Sequence, residues 1–313
     1  MIREDSLSRP NVVFIMADQL RATALEMYRP NTCATPSLER LAAQGVRFEH
    51  AITPHPLCVP ARVAIMTSRY PHSTGSRRNE TFMPAGANHA FRIWSEKGFK
   101  PGLIGKNHCF ESEEDLALLD VYCEITHRGR SDRSAAPKGM EWVRPAKAID
   151  AAYEARSNVK RQSPRIAYRV SDGPEGDCGT AVIAAQSVRF LEESHEEPFA
   201  LWVSFPDPHE PYEVLRRYAE MFPPESIELP PWPEDEFDES APERNRVLKR
   251  MLDISQDSEA DVRGAISTYY AMTRFVDDGV GQILDALDQL DLTDNTIVVF
   301  TADHGDFMGE HGM

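Results

Sequence analysis

Cys58 lies in Pro56-Leu57-Cys58-Val59-Pro60-Ala61-Arg62, a stretch that reads as a loop running into a helix. Pro60 fits a first helical turn, where its missing N–H costs nothing. From Ala61 to Thr67 the residues suit a buried helix. A thiol just before a helix N-terminus sits among unpaired backbone N–H groups and the positive end of the helix dipole, which favour an anion. Arg62 is four residues on, one helical turn away, and can face the same point. A nucleophile there is activated, and an anionic substrate is drawn to it. A lone cysteine in an apolar segment is more often a small buried hydrophobe. The chemical reading therefore depends on what converges on Cys58.

Four apolar runs end in polar groups. Asn11 to Ala17 ends in Asp18-Gln19, Phe99 to Gly105 in Lys106-Asn107-His108, Phe199 to Phe205 in Pro206-Asp207-Pro208-His209, and Thr296 to Thr301 in Ala302-Asp303-His304. Short continuous apolar runs are the pattern of strands buried on both faces. Helical patterns lie between them, over 35–44, 91–97, 180–193 and 258–290, the last as one helix or two. This alternation predicts an α/β fold with a largely parallel central sheet and helices on both faces. Ligands in such folds bind beyond the carboxyl ends of the strands, so the four ends define one site.

Taken singly, Asp18 and Asp303 would read as loop-start or capping aspartates. Paired on strand ends beside His304, they better suit a divalent metal. Oxygen-dominated ligation suggests Ca²⁺ or Mg²⁺, and the histidine leaves Mn²⁺ or Zn²⁺ open. Lys106 and His108, two apart on an extended segment, point the same way. With Arg62 and His209 they could surround a sulfuryl or phosphoryl group and balance charge on its oxygens.

The rest of the chain is read more coarsely. Val46 to Ile52 is expected as a short strand leading to the Cys58 loop. Residues 110–176 lose periodicity and are expected as an irregular insertion shaping substrate access. Pro223 to Glu243 is rich in proline and acid and reads as surface loop.

The chain has 313 residues, 41% of them hydrophobic, and a formal net charge of −16. That charge argues against non-specific nucleic-acid binding. No apolar run has membrane-span length, and Met1 to Pro10 lacks the apolar core of a secretion signal. The 5 cysteines, Cys33, Cys58, Cys109, Cys123 and Cys178, are irregularly spaced, with no CxxC pair. They argue against a disulfide framework or zinc knuckle and fit a cytoplasmic protein with reduced thiols. The chain stops at Gly309-Glu310-His311-Gly312-Met313, directly after a strand and its loop, which reads as a C-terminal truncation of a single catalytic domain over 1–313.

Cys58-Val59-Pro60-Ala61-Arg62 resembles the sulfatase signature, with a compatible Met66-Thr67-Ser68-Arg69 behind it. Asn11–Gln19 resembles that family's first strand and metal site, and Thr35–Phe48 its first helix and following strand. Gly105-Lys106-Asn107-His108 is similar to its Gly-Lys-x-His motif, and Thr301–Asp306 to its second metal motif. The resemblance implies an alkaline-phosphatase-like fold and hydrolysis of a sulfate monoester. It implies that a maturation enzyme oxidises Cys58 to formylglycine, which hydrates to a diol. One hydroxyl attacks sulfur, and the other then expels sulfate. Asp18, Asp303, His304 and the modified Cys58 would bind the metal, most simply Ca²⁺. Arg62 would stabilise the formylglycine, Lys106 and His108 would hold the sulfate and the diol, and His209 would assist the leaving oxygen. Gln19 and Asn79 are further candidates for the surroundings of metal or substrate.

Two features depart from the commonest pattern. Gln19 and His304 stand where many sulfatases carry Asp and Asn, as in the choline-sulfatase-like and phosphonate monoester hydrolase branches. An active-site lysine expected beyond the Asp-His-Gly-Asp loop, and a smaller C-terminal subdomain, are absent from these residues. A phosphonate monoester or phosphodiester hydrolase, and a silent anion-binding homologue with unmodified Cys58, are the alternative readings.

Overall fold

In the computed structural model, which describes residues 9–130, 137–163, 165–231, 236–255 and 257–313, the apolar runs become strands of one sheet. These strands are β1 (Asn11–Ala17), β2 (Lys100–Gly105), β3 (Val121–Thr126), the short β4 (Gly129–Arg130), β6 (Phe199–Phe205) and β8 (Thr296–Ala302). A separate parallel pair joins β5 (Tyr168–Ser171) to β7 (Tyr212–Leu215). The helices are α1 (Pro36–Ala43), α2 (Cys58–Thr67), α3 (Pro71–Thr74), α4 (Ala90–Glu96), α5 (Glu113–Ala117), α6 (Ala146–Ser157), α7 (Gly179–Ser194), α8 (Arg216–Ala219), α9 (Glu243–Leu252) and α10 (Glu259–Gln289).

The main sheet runs β4-β3-β2-β6-β1-β8, parallel except for β4. Alternate side chains of each strand enter opposite layers. Val13, Ile15, Leu201 and Val203 meet Ile183 and Phe190 of α7 and Val276 and Val280 of α10 in one core. Phe14, Met16, Leu103 and Trp202 meet Val59 and Val63 of α2 and Phe91 of α4 in the other. Helices thus cover both faces, which is why β1 and β6 are almost wholly apolar.

Register aligns the strand ends. Ala17 is paired with Phe205 on one side and Ala302 on the other, and Gly105 with Ser204. Residues 18, 106, 206 and 303 consequently leave the sheet along one edge. Gly105 has a φ of +104°, and a Cβ there would lie 2.0 Å from the Ser204 carbonyl oxygen, so only glycine lets β2 turn out at this point.

Several expectations change. Residues 46–52 form no strand: Val46, Phe48 and Ile52 are 78%, 69% and 90% exposed, and no described strand offers them a partner. The described residues of the expected irregular insertion 110–176 include α5, β3, β4, α6 and β5, while 131–136 and 164 lie outside the described residues. β3 escapes a search for apolar runs because it carries Glu124, buried with the Tyr122 hydroxyl donating to it at 2.7 Å. The expected helix over 258–290 is one element, α10. Residues 1–8, and 232–235 within the expected Pro223–Glu243 loop, lie outside the described residues. Among the described residues no helix is long and apolar enough to cross a membrane.

Candidate active site

Helix α2 begins at Cys58 itself, with Leu57 as the N-cap residue and no capping side chain of its own. The missing cap comes from elsewhere: the Val59 N–H donates to Asn79 Oδ1 at 3.2 Å. Asn79 thus fixes the start of the helix that carries the nucleophile candidate. Cys58 is 4% exposed, with its Sγ 3.2 Å from His304 Nε2 and 3.5 Å from Asp18 Oδ1. Lys106 Nζ is 3.7 Å from the same sulfur.

Asp18, Cys58, Asp303 and His304 each offer one ligand atom, all within 4.8 Å of one another and buried. The His304 ring has a defined sense. Its Nδ1 donates to the Gly305 carbonyl oxygen at 2.9 Å, so Nε2 is the nitrogen turned toward Cys58. Two carboxylates, an imidazole nitrogen and residue 58 are a donor set that fits a divalent cation.

Cations brace these acids from behind. Arg62 is fully buried. Its Nε donates to Asp303 Oδ2 at 2.8 Å, and one terminal nitrogen donates to the Lys106 carbonyl at 2.9 Å and to Ser204 Oγ at 2.8 Å. Its other terminal nitrogen is 3.7 Å from Asp18 Oδ2, and Lys106 Nζ donates to that same oxygen. Burial alone would raise the Asp18 carboxyl; Lys106 and Arg62 override it and hold Asp18 well below the usual carboxylate range. Gln19 acts mainly through its backbone. With a φ of +64°, it donates its N–H to Asp303 Oδ1 at 3.0 Å, and its amide reaches Glu210 Oε2 at 3.2 Å and Asp306.

The other side of the site is histidine-rich. His108 has a φ of +45°, and its Nδ1 is buried without a hydrogen-bond partner. Burial first, then Lys106 and Arg62, push its pKa down to about 3, so it is a neutral donor or acceptor at pH 7. His209 stands on a loop that Arg156 pins: its terminal nitrogens donate to Asp207 Oδ1 at 2.7 Å and the His209 carbonyl at 2.9 Å, and its Nε donates to the Pro211 carbonyl at 3.2 Å. Burial opposes charge on His209, but its bond to Cys58 and the Asp18 charge outweigh it and raise its pKa. His209 therefore holds a proton more readily than an ordinary histidine.

Every residue singled out from sequence lies in or against this cluster. One that sequence missed is His127, in the turn between β3 and β4, whose ring stacks on His209 with centroids 4.5 Å apart and planes at 12°. A lone histidine in Thr-His-Arg-Gly has no pattern of its own. Its only signal is its place after a strand end, and β3 was not legible as a strand.

A family model, Sulfatase, matches residues 10–313. The chain is 27% identical over 314 residues to an ulvan-active sulfatase of Formosa agariphila, covering 98% of this chain and 52% of that protein. It is 27% identical over 329 residues to a choline-sulfatase of Rhizobium meliloti, covering 97% of this chain and 59% of the relative. The solved phosphonate monoester hydrolase of Agrobacterium radiobacter shares the fold, with a TM-score of 0.75 at 23% identity, over 97% of this chain and 64% of that one. The chain thus spans between half and three-fifths of the length of these curated relatives.

Proposed function

Because this chain belongs to the sulfatase family, we propose that the whole protein hydrolyses a sulfate monoester at the Cys58 site. The observation that carries the reading is the convergence of Asp18, Cys58, Asp303 and His304 on one point, with Arg62 and Lys106 behind them. A divalent cation held by those four residues would polarise the sulfuryl oxygens and lower the energy of developing negative charge. Ca²⁺ suits the two carboxylates, while His304 keeps Mn²⁺ and Zn²⁺ as alternatives for metal analysis. Formylglycine at position 58, made by a maturation enzyme, would hydrate to a diol: one hydroxyl would attack sulfur and release the alcohol, and the other would lose its proton and expel the sulfate, restoring the aldehyde.

The chain's own residues do the rest. The N-terminus of α2 favours the anionic substrate. Arg62 holds Asp303 in place through its Nε, so that the carboxylate is aimed before substrate arrives. Lys106 balances Asp18 and faces the sulfuryl oxygens. His108, neutral, hydrogen-bonds sulfate without adding charge. His209, whose pKa is raised by its bond to Cys58 and the Asp18 charge, donates to the departing oxygen of the ester. Five unpaired cysteines support a cytoplasmic setting.

The shared fold and the Asp18-Gln19 and Asp303-His304 pairs favour one other reading, phosphonate monoester hydrolysis by the same nucleophile. Lys106 with His108 weighs toward sulfate. The ratio of kcat/KM for an aryl sulfate to that for an aryl phosphonate ester decides between them. The central experiment is peptide mass spectrometry of residue 58 in protein from its own host. A loss of about 18 Da, the change expected when the thiol becomes an aldehyde, together with aryl sulfate turnover, supports the reading. An unmodified thiol in active protein rejects it.

A further inference from the structure

The second group of potential ligand atoms is Asp18, His127 and His209, within 4.8 Å of one another. A second cation is the first thing to test against it. The two imidazoles lie face to face, at 12° and 4.5 Å, so no single ion can lie in both ring planes, as coordination by both would need. Lys106 already occupies Asp18 Oδ2 with a positive charge. The geometry does not build a metal site.

It builds a clamp instead. One edge of the His209 ring is fixed by its own loop, with Nδ1 2.7 Å from the Glu210 carbonyl oxygen. The opposite edge is left for the reaction, and the face is closed by His127. His127 Nδ1 is buried with no hydrogen-bond partner among the described residues. We propose that His127 is a positioning residue for this site: its ring, stacked on His209, sets the plane in which His209 meets the departing oxygen. The inference rests on the proposed role of His209 and adds to it a reason for its orientation.

The test uses the full-length, matured enzyme and a series of aryl sulfates whose phenols span several pKa units. His127→Ala is expected to lower kcat by about tenfold or more for the poorest leaving group and by less than about threefold for the best, with KM little changed. His127→Phe, which keeps a flat ring on His209, is expected to recover most of that loss. Residue 58 maturation and metal content, measured in each variant, establish that the site is otherwise intact. A loss that is uniform across the series, or His127→Phe falling as far as His127→Ala, overturns the inference. His209→Ala runs alongside: a flat series there removes the role of His209 and this inference with it. A steep His209→Ala series beside a flat His127→Ala series removes this inference alone.

Discussion

The site has two halves built in different ways. The half around Asp18, Arg62, Lys106 and Asp303 is fully buried and locked by ion pairs, and its acids sit directly on the ends of β1 and β8. The half around His108, His127 and His209 hangs on the connections that follow β2, β3 and β6, and keeps unpaired ring nitrogens at His108 and His127. A parallel sheet fixes the first half as firmly as its own register. The second is fixed only by local anchors such as Arg156. Charge handling, which tolerates no error in a low-dielectric setting, is placed on the rigid part. On the proposed reading, His127 and His209 would meet the departing, organic end of the ester on segments that can differ without disturbing the sheet.

This contrast makes predictions that separate the halves. The largest effect is expected for Cys58→Ala, which should abolish turnover by the full-length enzyme while thermal unfolding still shows a folded protein. Activity near that of the parent would remove the nucleophile. Arg62→Ala should cost both activity and about 3–5 kcal/mol of stability, because it leaves Asp303 buried without its partner. Denaturant titration checks this, and an unchanged midpoint would put Arg62 outside the structural frame. His209→Ala should lower kcat by about 10²–10⁴ for poor leaving groups with little change in melting temperature, the signature of the outer half. Kinetics and a melt on one preparation read both.

Smaller effects sharpen the contrast further. His108 and His127 are neutral in the fold down to about pH 3 and about pH 2, whereas in the unfolded chain they protonate near 6.5. The unfolded state therefore binds more protons below pH 6.5, and stability falls as pH drops through that window. The slope is about 1 kcal/mol per pH unit for each histidine. Replacing both with glutamine should flatten the acid limb of melting temperature against pH; an unchanged limb would show that neither ring is held neutral. Asn79→Ala, which removes the cap from α2, should cost about 1 kcal/mol and a modest fraction of kcat. A stability loss without any kinetic change would separate the cap from the chemistry.

The inner half was legible because its signals are redundant. β1 and β8 are short, largely apolar runs, each followed at once by an aspartate, Asp18 and Asp303. The outer half was only partly legible. His108 and His209 stand beside strands that read clearly, but His127 follows β3, where Glu124 interrupts the apolar pattern. Val46, Phe48 and Ile52 misled in the opposite sense: they are spaced like one face of a strand, yet no described strand pairs with them. The brace between Arg62 and Asp303, 241 residues apart, has no local signature at all and follows only from the register that brings β8 beside β1.

The burial of residue 58 also sets an order of events. Cys58 is 4% exposed and lies on the first turn of a helix whose Val59, Val63 and Met66 pack with Met16 and Trp202. An enzyme acting on that thiol needs the surrounding peptide in an accessible form, which the docked helix no longer offers. On the proposed reading, oxidation of Cys58 by a maturation enzyme would therefore precede the docking of α2. The proportion of molecules that receive it would then be decided by a race between that enzyme and the folding of the chain.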